Sequence, residues 1–219
     1  MISSVLCDLV VGNELLMNQA YAKLANLLEY PDERWSARVE AARRITGDQG
    51  VFAKFNAGVE GFSLSDLQEL YTRTFDLNPV CALDIGYHLF GENYKRGQFL
   101  ASLRETEAPF DLGQEHQLPD YLPVLLRLLT KLEDDDLRAS LIGECLIPGI
   151  EKMIASFKES KNPYRHLLET VRATLQSEVS VGEQAVRTSF ARASLPVLQP
   201  ADWASQETWP EQPAEQAPA

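Results

Sequence analysis

Between residues 14 and 175, apolar positions recur three and four apart, the spacing of one helix face. Met17, Ala20, Leu24, Leu27 and Leu28 share such a face, with Asn13 as a candidate N-cap and Pro31 as the stop. Glu33 to Ile45 is a second, more polar helix that ends at Gly47. Ser65 with Gln68 three residues on forms a capping-box pattern. Leu67, Leu70, Tyr71, Thr74 and Phe75 follow at helical spacing, and Pro79 closes that segment. Pro79 to Gly91 is ambiguous, with glycines at 86 and 91, and Glu92 to Arg104 is again helical, burying Phe99, Leu100 and Leu103.

The clearest stripe is Leu122, Leu125, Leu126, Leu129 and Leu132. Pro123 fits its first turn if Asp120 is the N-cap and accepts from the Leu122 N–H. After the acidic run Glu133–Asp136, a long helix is kinked or broken at Pro148-Gly149 and resumes with Ile150, Met153, Ile154 and Phe157. Asn162-Pro163 is a cap followed by a first-turn proline, and Tyr164, Leu167, Leu168, Val171 and Leu175 form the last stripe. No strand pattern and no fixed-period repeat stands out. The expected fold is all-α, a single helical-bundle domain of about seven helices over residues 1–195.

Composition changes the picture at the C-terminus. Residues 196–219 hold five Pro, four acids and no Lys or Arg, so they are expected to be a disordered acidic tail, with Trp203 and Trp209 as its possible docking points. The whole chain of 219 residues carries −12, of which −8 falls on residues 1–195. That balance argues against nucleic acid or an anionic membrane as partner. The first basic residue is Lys23 and no apolar run approaches the ~18 residues of a membrane span, so a cytoplasmic protein is expected. Cys7, Cys81 and Cys145, odd in number and far apart, suit reduced thiols.

Catalytic signatures are missing. There is no phosphate loop, no His or Cys pair at metal-ligand spacing and no nucleophile elbow. The run at 133–136 lacks the mid-loop glycine of a calcium hand and reads as a solvated helix start. His88, His116 and His166 are isolated. The expectation is no enzyme, no metal and no cofactor of its own. What remains is a polar-aromatic stretch of Tyr71, Phe75, Asp76, Tyr87, His88, Glu92, Tyr94, Arg96, Asp120 and Tyr121, partly in Gly-punctuated segments where a loop can present side chains to a ligand. Tyr71 and Phe75 also fit as core fillers, and Asp120 as a plain cap.

Tyr71 to Leu103 resembles the middle of the nitrate reductase delta-subunit chaperones, the NarJ-like branch of the TorD/DmsD maturation family. The residues that carry the likeness are Tyr71, Phe75 and Asp76, then His88 and Gly91, then Arg96 and Gly97. QLPDYLP (117–123) is similar to the family's Glu-Leu-Pro-Asp-His-Leu-Pro signature, with Gln117 in place of the Glu and Tyr121 in place of the His. LLEYP (27–31) resembles the end of its first helix, and NPYRHLLE (162–169) resembles its last helix. The resemblance implies a dedicated chaperone that binds the N-terminal segment of an apo molybdoenzyme catalytic subunit, assists insertion of the molybdenum cofactor and delays membrane attachment or export. The implied binding residues are Tyr71, Phe75, Asp76, Tyr87, His88, Glu92, Arg96, Pro119, Asp120 and Tyr121. Arg96 would pair with a carboxylate or orient the turn at 119–121. Two other readings stay open: an interaction module acting through its Trp-bearing tail, and a small nucleotide hydrolase.

Overall fold

The computed structural model describes residues 2–47, 49–77, 80–158 and 161–186. Pro79 and the predicted tail with Trp203 and Trp209 lie outside the described residues, as does the side chain of Cys7. Ten α segments are described: α1 (Ile2–Leu27), α2 (Trp35–Thr46), α3 (Val51–Val59), α4 (Leu64–Tyr71), α5 (Ile85–Phe90), α6 (Tyr94–Glu107), α7 (Leu122–Leu129), α8 (Asp135–Ser140), α9 (Ile147–Ser156) and α10 (Tyr164–Val186). Among the described residues there is no strand beyond one isolated bridge, so the all-α expectation is met. No helix of these residues is long and apolar enough to cross a membrane.

The core forms because the predicted stripes face one another. α1 packs on α2, α7 and α10, while α10 packs on α3 and α9. Leu24, Leu27 and Leu28 of the first stripe, with the neighbouring Tyr21, share one core with Tyr164, Leu167, Leu168, Val171 and Leu175 of the last, all without solvent contact. Polar side chains fasten the same pair of helices. Tyr21 donates to Glu178 at 2.5 Å. Arg138 donates to Glu178 at 2.6 Å, to Asn18 at 2.9 Å and to the Leu129 carbonyl. Buried groups bonded in this way avoid the desolvation cost of an orphan.

Several boundaries differ from the sequence reading. Asn13 is not a cap: α1 runs straight through it from Ile2. Gly12 and Asn13 have low helix propensity, a cost of about 1 kcal/mol or less per residue that neighbouring turns outweigh. The capping box is formed by Ser63 and Asp66, two residues before the predicted pair. The Ser63 backbone N–H donates to Asp66 Oδ2 at 2.9 Å, and the Asp66 N–H donates back to Ser63 Oγ at 3.2 Å. Helix α3 was not predicted, although Phe52, Phe55 and Val59 bury one of its faces.

Two π segments account for further departures. Thr72–Asp76 continues α4 with an i→i−5 bond from Leu77 N–H to the Thr72 carbonyl at 2.9 Å. Leu141–Leu146 joins α8 to α9, its Ile147 N–H donating to the Ile142 carbonyl. The predicted break at Pro148 is therefore a widened turn inside one rod. Proline has no N–H and its ring crowds the carbonyl four residues back, and the wider turn accommodates both. Asn162 caps α10 as expected, accepting from the Tyr164 N–H at 3.0 Å, and its amide also donates to Thr74 Oγ1 at 2.7 Å. That second bond ties the start of α10 to the π segment after α4.

Candidate functional site

The site begins with backbone pairing. Asp84 and Tyr121 form an antiparallel bridge: Ile85 N–H donates to the Asp120 carbonyl at 2.8 Å, and Leu122 N–H to the Leu83 carbonyl at 2.9 Å. This brings the start of α5 against the start of α7. Asp84 and Tyr121, 37 positions apart in two of the quoted stretches, thus meet.

Asp120 does not cap α7. Tyr121 occupies the N-cap position, and the Leu122 N–H is taken by Leu83. The Asp120 side chain instead points to α6, where Arg96 Nε donates to its Oδ2 at 3.0 Å and Nη2 lies 2.9 Å from the same oxygen. Asp84 Oδ1 stands 4.0 Å from Arg96. Asp120 has no exposed surface, and its Oδ1 has no hydrogen-bond partner. Burial pushes both carboxyls above the usual aspartate range. For Asp120 the charge of Asp84 adds to that push and Arg96 opposes it. Gly86 leaves room for this arrangement, since a Cβ there would lie 2.7 Å from Asp120 Oδ2 and 3.0 Å from Phe99. The exposed Tyr87 ring lies 5.8 Å from the Arg96 guanidinium, a cation–π pair at the surface of the cluster.

Beside it lies an aromatic group. Tyr71 donates to the Leu28 carbonyl at 3.1 Å, and its oxygen is 3.2 Å from the Tyr121 hydroxyl. Phe75, Tyr164 and Tyr30 surround the Tyr71 ring edge to face at 5.0, 5.9 and 5.5 Å. Burial drives the Tyr71 and Tyr121 hydroxyls far above the ordinary tyrosine range, so both stay neutral.

The predicted residues therefore divide into two groups. Tyr71, Phe75, Pro119, Asp120 and Tyr121 are buried. Asp76, Tyr87 and Glu92 are exposed, and His88 and Arg96 are partly so. His88 Nε2 lies 2.9 Å from the Ala82 carbonyl, which requires a proton on that nitrogen, and burial holds the ring below the ordinary histidine range. It is a bonded neutral side chain without an acidic orienting partner. Glu92 sits in the turn between α5 and α6, apart from the Arg96 pair. Three neighbours were not predicted: Asp84, Gly86 and Tyr30. Gly86 stood among the noted glycines and Tyr30 within LLEYP, but only the bridge reveals that Asp84 belongs.

Comparison with known proteins supports the likeness. No protein-family model matches the chain. Over 164 residues it is 28% identical to the probable nitrate reductase molybdenum cofactor assembly chaperone NarJ of Bacillus subtilis (strain 168), covering 72% of this chain and 88% of that one. Over 156 residues it is 27% identical to the probable nitrate reductase molybdenum cofactor assembly chaperone NarW of Escherichia coli (strain K12), covering 70% and 67%. The chain is thus similar over about 70% of its length to two chaperones of nitrate reductase assembly. Both relatives are named as assembly chaperones and not as enzymes, which supports the expectation of no enzyme. Their names attach the molybdenum cofactor to the assembly of nitrate reductase, as the sequence resemblance implied.

Proposed function

We propose that the chain is a cytoplasmic assembly chaperone for a molybdenum-cofactor enzyme of the nitrate reductase type. It binds the N-terminal segment of the apo catalytic subunit, keeps it open for cofactor insertion, and delays membrane attachment or export until loading is complete. The relatives support the chaperone role. The observation that carries the binding site is convergence: Asp84, Gly86 and Tyr87, then Arg96, then Asp120 and Tyr121 come from three separate segments and meet at one place.

The buried and exposed members have different parts in this reading. Exposed apolar side chains at Tyr30, Leu77, Tyr87 and Leu118 offer contact area to an apolar helix face. Asp76 and Glu92 supply negative charge toward a basic leader and speed encounter. Asp120, Arg96, Tyr71 and Tyr121 hold the backbone that presents them.

The test is affinity purification of the chain from its native host, followed by identification of co-eluting proteins. A molybdoenzyme catalytic subunit lacking its cofactor is expected. Recovery of the chain alone under conditions that induce anaerobic respiration would sink the reading. The site is tested separately by titrating the recovered client's N-terminal peptide against Asp120→Ala and His88→Ala, where unchanged affinity in both, with folding intact, removes the assignment.

A further inference from the structure

Seven of the eight residues of α7 are buried and apolar, and the eighth is Arg127. A charge on such a helix costs desolvation unless it is well bonded. Its partners come from two sides. Arg127 Nη2 donates to Glu29 Oε1 at 2.6 Å and to Asn26 Oδ1 at 3.4 Å, at the end of α1. Nη1 donates to the Leu112 carbonyl at 3.2 Å, in the connection between α6 and α7.

Each side carries an exposed apolar residue of the face described above. Tyr30 follows Glu29 directly, and its ring stands edge-on to Tyr71 at 5.5 Å. Leu118 lies in the connection, between two anchors. The first is Leu112, held by Arg127. Its N–H donates to Gln114 Oε1 at 2.7 Å, and Gln114 Nε2 donates to the Phe110 carbonyl at 2.8 Å. The second is the paired backbone at Asp120 and Tyr121, where the Tyr121 N–H donates to the Leu118 carbonyl at 3.1 Å. Residues 115–118, between the anchors, are exposed. Burial sets the Tyr121 hydroxyl high, Glu29 adds to that push and Arg127 opposes it, so both charges lie within electrostatic reach of the aromatic group.

We propose that Arg127 is a positioning residue of the client-binding face: one guanidinium, bonded to both sides, fixes the spacing between Tyr30 and Leu118. Its planar fork holds acceptors on two different elements at once, which a lysine ammonium would meet with a single point charge. A face set in advance loses less freedom when a peptide lands on it. This role rests on the chaperone reading and adds to it the group that holds two apolar contacts at a fixed separation. Glu29 serves it as an acceptor for Arg127, not as a contact of the client.

The test is calorimetric titration of the full-length protein with a synthetic peptide, the N-terminal segment of the catalytic subunit that co-purifies with the chain. Arg127→Lys keeps the charge and loses the fork. It should weaken binding about tenfold, through lost preorganisation of two contact side chains. It should also speed amide hydrogen exchange at residues 115–118, which reports local opening. Glu29→Ala should do the same. Glu29→Gln should recover most of that loss, because its amide oxygen still accepts from Arg127. Urea midpoints establish that each variant is folded under the conditions of titration. Parent-level affinity in Arg127→Lys overturns the role. So does an equal loss in Glu29→Gln and Glu29→Ala, which would make the Glu29 charge a direct contact of the client. Weaker binding with unchanged exchange at 115–118 overturns it as well. A parent chain that does not bind the peptide removes the client-binding reading itself, and the role of Arg127 with it.

Discussion

Arg96 grips Asp120 from 24 residues away, with Nε at 3.0 Å and Nη2 at 2.9 Å from a single carboxylate oxygen. The pair joins α6 to the turn before α7, the same turn whose backbone is bridged to the start of α5. Removing one partner of a buried pair strands the other, at a cost of about 3–5 kcal/mol. Arg96 keeps about one-fifth of its side-chain surface exposed, so Asp120→Ala should cost about 3 kcal/mol, the lower end. The denaturant midpoint reads this directly. Arg96→Ala should cost a similar amount, and the double variant less than the sum of the two singles.

The same cluster sets a pH dependence of definite sign. Asp84 and Asp120 bind their protons more tightly folded than unfolded, because burial raises both carboxyls. Their contribution is complete below the ordinary aspartate value of about 3.9 and is lost as pH rises through the higher folded values. Asp84→Asn cannot ionise there. Its urea midpoint relative to the parent chain should therefore improve from pH 4 to pH 7. A difference that stays flat or moves the other way would contradict the assignment.

Tyr71 and Tyr121 should respond unequally to loss of the hydroxyl. Tyr121→Phe removes one hydrogen bond, worth about 1 kcal/mol. Tyr71→Phe removes the donor to the Leu28 carbonyl and also the partner of the Tyr121 hydroxyl, leaving buried polar groups unpaired. That should cost about 1–3 kcal/mol. Equal losses in equilibrium unfolding would mean that the Leu28 bond contributes little.

Two glycines near Arg96 separate stability from recognition. Gly86→Ala drives a methyl against Asp120 and Phe99, an overpacking expected to cost about 1–3 kcal/mol. Gly97, exposed within α6, has nothing within 4 Å of an added Cβ. Gly97→Ala should stabilise the protein by about 0.4–1 kcal/mol. If the client approaches the α6 backbone there, affinity for its peptide falls while the thermal midpoint rises. A substitution that raises both places the client elsewhere.

Much of this fold was legible because its helices are amphipathic. The stripes from Leu122 to Leu129 and from Tyr164 to Leu175 became core as read, and the Asn162 cap and the stop at Gly47 were signalled by local chemistry. Caps failed where two candidates competed. Ser63 with Asp66 closed a reciprocal pair where Ser65 did not, and Asp120 was drawn from α7 by a guanidinium that no local pattern places nearby. Helix α3 escaped because its nine residues carry few polar positions to mark a face. The site was half legible. Its residue types stood out in the sequence, but their division into an exposed group and a buried group depends on the bridge between Asp84 and Tyr121, a long-range pairing.

The π segment Leu141–Leu146 sets the rotational phase between the two halves of its rod. Each residue of an α-helix turns the chain by about 100°, so one residue more or fewer points everything downstream in a new direction. With the wide turn in place, Gly149 faces Ile85 so closely that a Cβ would lie 2.9 Å from its side chain, and Ile150, Met153 and Ile154 face the core. Were that turn wound as regular α-helix, the apolar stripe of α9 would rotate away from α5 and α10. The neighbouring proline thus does more than interrupt a helix: the turn that accommodates it acts as the gear that keeps the last third of the bundle in mesh with the first.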